Sequence, residues 1–234
     1  MQPDITPQPR HPSRQMSDTF LLSAVLALSG GFMDAYTYTV RGGVFANAQT
    51  GNVVLMSTDL MKLDFHGALR YLIPIVAFTL GVLFAILIRR LSKRGARLHW
   101  RQTCLLIEAC IMAAVGFMPQ RLNMLGNVLV SFACAMQVQS FRKVGGIPYA
   151  STMCIGNLRG GAEALAQYLR RRDVRDLRTL RYYAGVILAF AVGAGLGGNV
   201  SAIFHERTIW ISGAALLIGT VMMIPHAKID DPAE

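Results

Sequence analysis

Asp34 is a carboxylic acid in the middle of an apolar stretch, and the chain surrounds it with amides and hydroxyls that such stretches seldom carry. An ionisable side chain in that setting is expensive, which points to a purpose. It could carry a coupling proton, ligate a cation, pair with Arg41, or tie helices together. Asn47, Gln49, Thr50, Gly51 and Asn52 follow shortly after it. Far along the chain come Gln137, Gln139, Ser151, Thr152, Gly156 and Asn157. These types make neither a nucleophile with its base nor a metal shell, and the five histidines have no catalytic or ligand spacing. Amides, hydroxyls and a lone acid are suited to holding a small polar solute. The expectation is a binding site with no enzyme activity, no cofactor and no metal.

The two groups of residues are copies of one another. Met33 falls on Met136, Asp34 on Gln137, Thr37 on Ser140, and Gly42 and Gly43 on Gly145 and Gly146. After a two-residue slip, Gly51 and Asn52 fall on Gly156 and Asn157. A polar interruption that occurs twice in an apolar chain is the usual plan of a small transporter, with two half-sites facing each other at mid-bilayer.

Positioning such half-sites is the work of membrane helices. The chain of 234 residues is 53% hydrophobic and 15% charged, and the apolar residues come in blocks, which excludes an ordinary soluble domain. The formal charge of +10 would in a soluble protein suggest nucleic acid. Here the basic residues cluster between apolar blocks, where the positive-inside rule accounts for them, so nucleic acid is not an expected partner and the lipid bilayer is. Six spans are expected at 18–40, 68–89, 102–117, 123–141, 182–204 and 208–224. Segments 50–61 and 156–169 lie between them; at about 1.5 Å per residue neither crosses a hydrocarbon core of about 30 Å.

Charge decides how the short segments run. The stretches 89–101 and 170–181 hold six basic residues each, so both are expected to be cytoplasmic. Two spans separate Arg101 from Arg142 and Lys143, so 156–169 must enter and leave on one side. By the repeat, 50–61 does the same on the other. The result is an all-α membrane protein of two inverted three-span repeats, about 18–118 and 122–226, each with a re-entrant half-helix. The tails 1–17 and 227–234 are both cytoplasmic, and 18 of the 23 Lys and Arg lie inside. Trp100 and Trp210 each open the last span of a half, at the depth indole prefers.

In this arrangement the chain after Gly42 and Gly43 dips inward as non-helical backbone and turns at Gly51 and Asn52 into a half-helix. Asn52 and Asn157 are expected to cap those half-helices, whose positive ends favour an anionic group between them. Glu163 follows Arg159 at the spacing of a helical ion pair. Glu108 either reaches toward the basic stretch or faces the bundle interior. Gly193 and Gly197 suit close helix packing, or a homodimer through the span 182–204; the letters G-x-G-x-x-G there lack the strand that a dinucleotide site needs. Cys104, Cys110, Cys134 and Cys154 read as small core residues, and the glycosylation-type triplet at Asn199 lies inside a span.

The run from Ser29 to Ala35, with Phe45 and the triplet Thr50, Gly51 and Asn52, resembles the signature of the YoaK-like family of bacterial membrane proteins, which carry a domain of unknown function. Met136 and Gln137 with the run from Arg142 to Gly146 resemble its second signature, and the resemblance covers about 20–226. It departs at Ile155, where a threonine would complete the second half. The resemblance implies an inner-membrane location and supplies no substrate. Substrate binding is thus expected at Asp34, Asn47, Gln49, Thr50, Gly51, Asn52, Gln137, Thr152, Gly156 and Asn157, in a secondary transporter of a small, anionic solute. A passive channel would need an open polar path, and a scaffold would leave no cavity between the two Gly-Asn turns.

Overall fold

The computed structural model describes residues 19–92, 98–144 and 146–223. The two expected tails, Gly145 and the middle of the first basic stretch lie outside the described residues. Within them the protein is helical apart from one two-stranded hairpin.

α1 (Phe20–Val40) is started by Thr19, whose hydroxyl accepts from the Leu22 amide. A loop through Gly42 and Gly43, both at positive φ, leads to the short α2 (Gln49–Met61). α3 (Phe65–Leu91) begins at Asp64, whose carboxylate accepts from the Gly67 amide at 2.9 Å. α4 (Trp100–Val115) opens on a reciprocal cap between His99 and Gln102. A 3-10 turn at Gln120–Leu122 then feeds α5 (Asn123–Ser140). The second loop is a tight antiparallel hairpin, β1 (Lys143–Val144) and β2 (Ile147–Pro148), pairing Lys143 with Pro148 and Val144 with Ile147. It leads to α6 (Cys154–Arg171), α7 (Val174–Phe204), a 3-10 turn at His205–Thr208, and α8 (Ile209–Met222).

Every expected helix is present, with boundaries that differ by at most three residues except at the start of α7. α7 starts at Val174 rather than at 182, because Asp173 caps it through the Arg175 amide at 2.8 Å and Arg and Leu are good helix formers. The basic stretch 170–181 is therefore mostly helix, broken only at Arg172 and Asp173, with Arg172 left-handed at φ 55°. α6 runs two residues further at each end than 156–169, and α3 starts at Phe65 rather than 68.

Among the described residues three stretches are long and apolar enough to cross a membrane: Phe20–Val40, Phe65–Leu91 and Val174–Met222, the last holding both α7 and α8. α4, with 16 residues, spans only about 24 Å of helix. α3 turns Leu69, Leu72, Val76, Leu80, Leu83 and Leu87 outward, an apolar surface that water would not tolerate on a monomer of this size.

The principal helix pairings come in matched sets. α1 packs on α7 and α5 on α3; α2 lies on α3 and α6 on α7; α8 lies on α1 and α4 on α5; α4 and α8 meet each other, as do α1 and α5. Glycine lets the first of these close up. A Cβ on Gly31 would stand 2.1 Å from the Phe190 carbonyl oxygen, and one on Gly193 would stand 2.0 Å from that of Leu28. Gly193 and Gly197 of α7 are thus used within the chain, against α1. The main core lies where α1, α4, α5 and α8 converge, on Leu22, Leu26, Met33, Leu105, Met112, Val130 and Leu216.

Candidate functional site

The two loops carry the same clamp. Asn52, fully buried, accepts from the Phe45 amide at 3.0 Å and donates to the Phe45 carbonyl at 2.7 Å. Asn157 accepts from the Ala150 amide at 3.2 Å and donates to the Ala150 carbonyl at 2.7 Å. In both halves the partner lies seven residues upstream. The carboxamide thus reproduces one rung of an antiparallel ladder and holds the incoming loop against the first turn of the helix. This corrects the capping expectation: Ala48 and Met153 occupy the cap positions and neither makes a side-chain cap bond. An amide with both a donor and an acceptor satisfies a loop backbone that would otherwise be buried unpaired, which a cap bond would not do.

What stands in front of α2 is Asp34. Its carboxylate accepts from the Asn47 amide at 2.7 Å, and the Ala46 and Ala48 amides face it as well. The acid on α1 thus supplies negative charge to the positive end of α2. Asn47 donates to the Gly30 carbonyl at 3.2 Å and Gln49 to the Ala46 carbonyl at 2.8 Å, which fixes the loop further.

The second half lacks this charge. Gln137 occupies the Asp34 position but turns to α1 and the loop, donating to the Leu26 carbonyl at 3.0 Å and to the Ser151 hydroxyl at 3.1 Å. The start of α6 holds no acid. A Cβ built on Gly156 meets nothing within 4 Å, so this helix end opens into free space.

That space is a cavity of about 1230 Å³. Asp34, Asn47, Gln49 and Thr50 line it from the first half, and Thr152, Gly156 and Asn157 from the second. Among the expected site residues Gln137, Gly51 and Asn52 are not part of its wall. Gln137 is fully buried behind it, and Gly51 sits under the Phe45 ring, where a Cβ would lie 2.9 Å from the ring. Sequence reasoning missed the rest of the wall: Ile75, Phe78 and Thr79 on α3, Tyr183 and Phe190 on α7, and Tyr38 on α1 stacked on Phe45 at 4.8 Å. Only Thr79, a hydroxyl in an apolar run, offered a signal. Arg142 and Arg159 also reach the cavity, the latter paired to Glu163 at 2.9 Å as expected.

Arg41 does not pair with Asp34. It is 1% exposed and clamps the end of α1, donating to the Tyr36 hydroxyl at 2.9 Å, the Val115 carbonyl at 2.9 Å and the Asn123 side chain at 3.1 Å. Asn127 in turn donates to the Arg41 carbonyl at 2.9 Å. Glu108 faces the interior and is fully buried, which settles the alternative of reaching toward the basic stretch.

Residues 22–222 match a family described as "Protein of unknown function (DUF1275)". The "UPF0700 transmembrane protein YoaK" of Bacillus subtilis (strain 168) is 24% identical over 217 residues, covering 89% of this chain and 94% of that protein. No solved structure matches the chain. A transmembrane relative along nearly the whole length, a family pattern from the first helix to the last, and apolar faces turned outward make this a multi-pass membrane protein of the DUF1275, YoaK-like family.

Proposed function

We propose that the protein is a secondary transporter of a small carboxylate-bearing solute, which binds in the cavity at the start of α6. The carrying observation is the unequal filling of two equivalent helix ends. The first holds the chain's own carboxylate, Asp34, against the loop amides; the second holds neutral Gln137 turned aside and opens into the cavity. A substrate carboxylate takes in the second half the part that Asp34 takes in the first. Thr152 and Asn157 line its place, and Phe78 and Phe190 receive the apolar remainder.

The matched helix pairings and the paired Asn clamps support two inverted three-span repeats, with α2 and α6 as re-entrant half-helices. Leu158, Leu165 and Leu169 of α6 are exposed, as they would be toward lipid. On this reading both termini and the basic residues near 89–101 and 170–181 are cytoplasmic, in the inner membrane. Arg41 then seals the outer side. A cavity of this size speaks against a scaffold with fully paired polar residues. A homodimer through α7 would have to use the face that carries Gly195, since Gly193 and Gly197 are taken by α1.

A thermal-shift screen of the purified full chain against small carboxylic acids and their matching amides tests the reading. Carboxylates should raise the melting temperature and the amides should not. Stabilisation by both alike, or by neither, contradicts it, and single-channel currents in planar bilayers would replace the carrier by a channel.

A further inference from the structure

Glu108 has no role in the cavity, yet it is the more anomalous acid. It is fully buried in α4, and neither carboxylate oxygen has a hydrogen-bond partner among the described residues. Asp34, by contrast, faces three loop amides. Among the described residues no base approaches Glu108 from a packed element. α8 contains no titratable residue, and those of α3 lie at its ends, with Arg89 over the Trp100 ring, roughly 12 Å of helix from Glu108. α5 offers Cys134, which lies within electrostatic reach of both Glu108 and Asp34 on α1. On α4 itself the titratable group facing it is Cys104, one turn earlier. Ser140 Oγ and Gln137 Oε1 on α5 are likewise without partners. An ionised carboxylate with neither counter-charge nor donor would bear an uncompensated desolvation penalty at such a place. A sodium ion is poorly served by two thiols and few oxygens. A proton needs only the carboxylate.

We infer that Glu108 is a proton-binding site outside the cavity wall, with Cys134 lying within electrostatic reach both of it and of the cavity residue Asp34. When the bundle rearranges to admit water to Glu108, that water accepts the proton and solvates the carboxylate left behind, and the release is the coupling step. The coupling role rests on the transport reading; the bound proton does not.

Infrared spectroscopy of the full chain in lipid bilayers, in light and heavy water, reads the proton directly and needs no substrate. At neutral pH the protein should show a deuterium-sensitive carboxylic-acid C=O band. Glu108→Gln should abolish it, Asp34→Asn should retain it, and Glu108→Asp should shift it, which guards against loss of fold in the first variant. Absence of the band in the folded wild type overturns the inference, as does its loss in Asp34→Asn alone. A band that appears only when sodium is replaced by choline marks a sodium site and also overturns it. Failure of the carboxylate screen with the band intact would remove the transport reading and leave the proton site standing.

Discussion

At the scale of single residues, the fold depends on carboxamides doing the work of backbone. Asn52 and Asn157 each pair with both the N–H and the C=O of one loop residue, so replacing either strands two buried polar groups. Asn52→Ala and Asn157→Ala should each lower stability by about 2–4 kcal/mol, read from unfolding in detergent, with Asn52→Asp close behind because an acceptor then faces the Phe45 carbonyl. A loss of only a few tenths in both would mean the clamps are not formed. Asp34→Asn should loosen the first loop, seen as faster amide hydrogen exchange at residues 46–48, while leaving 150–153 unchanged; equal protection in the first loop would show that the carboxylate is not seated there. The pairing of Asp34 with Gln137 was legible in the sequence because repeats preserve position. The Asn partners were not, since a side chain that caps a helix and one that clasps a loop seven residues back have the same spacing and composition. Glu108 was visible as an acid in an apolar run, but its direction depends on how α4 rotates against α5.

At the scale of elements, close approach is set by glycine and the ends by charge. Gly193→Leu should break the contact between α1 and α7, where even a Cβ stands 2.0 Å from the Leu28 carbonyl, and cost at least about 1–3 kcal/mol. Gly195→Ala, on the same helix with nothing within 4 Å, should be neutral or stabilising, by up to about 1 kcal/mol from helix propensity. Melting temperatures that move alike in the two variants would refute the packing. The existence of α1 to α8 was readable from the apolar blocks, but their lengths were not: α6, expected to be short, has 18 residues, more than α4 with 16 or α8 with 14. The start of α7 was not, because a run of arginines reads as loop until Asp173 is recognised as a cap. The Arg41 clamp was hidden for another reason: its acceptors, Val115, Asn123 and Tyr36, come together only when three helix ends meet. Arg41→Met removes those donors and should free that end of the bundle, read as increased labelling of a cysteine placed at Tyr38.

At the scale of the whole molecule, two halves of like plan enclose one cavity and differ where it matters. The first half brings its own carboxylate to the start of α2; the second turns Gln137 aside and leaves the start of α6 open to the cavity. The apolar walls from α3 and α7 were not legible as a site, since Phe78 and Phe190 look like any residues of a membrane helix until the loops are placed beside them. Gln137→Asp offers the most direct test, because it gives the second half the acid of the first. In proteoliposomes, uptake of labelled small mono- and dicarboxylates by the wild type should be saturable, and Gln137→Asp should reduce it tenfold or more with the fold intact. Uptake that is unaffected by Gln137→Asp, or that never saturates in the wild type, would contradict a carboxylate bound at the start of α6.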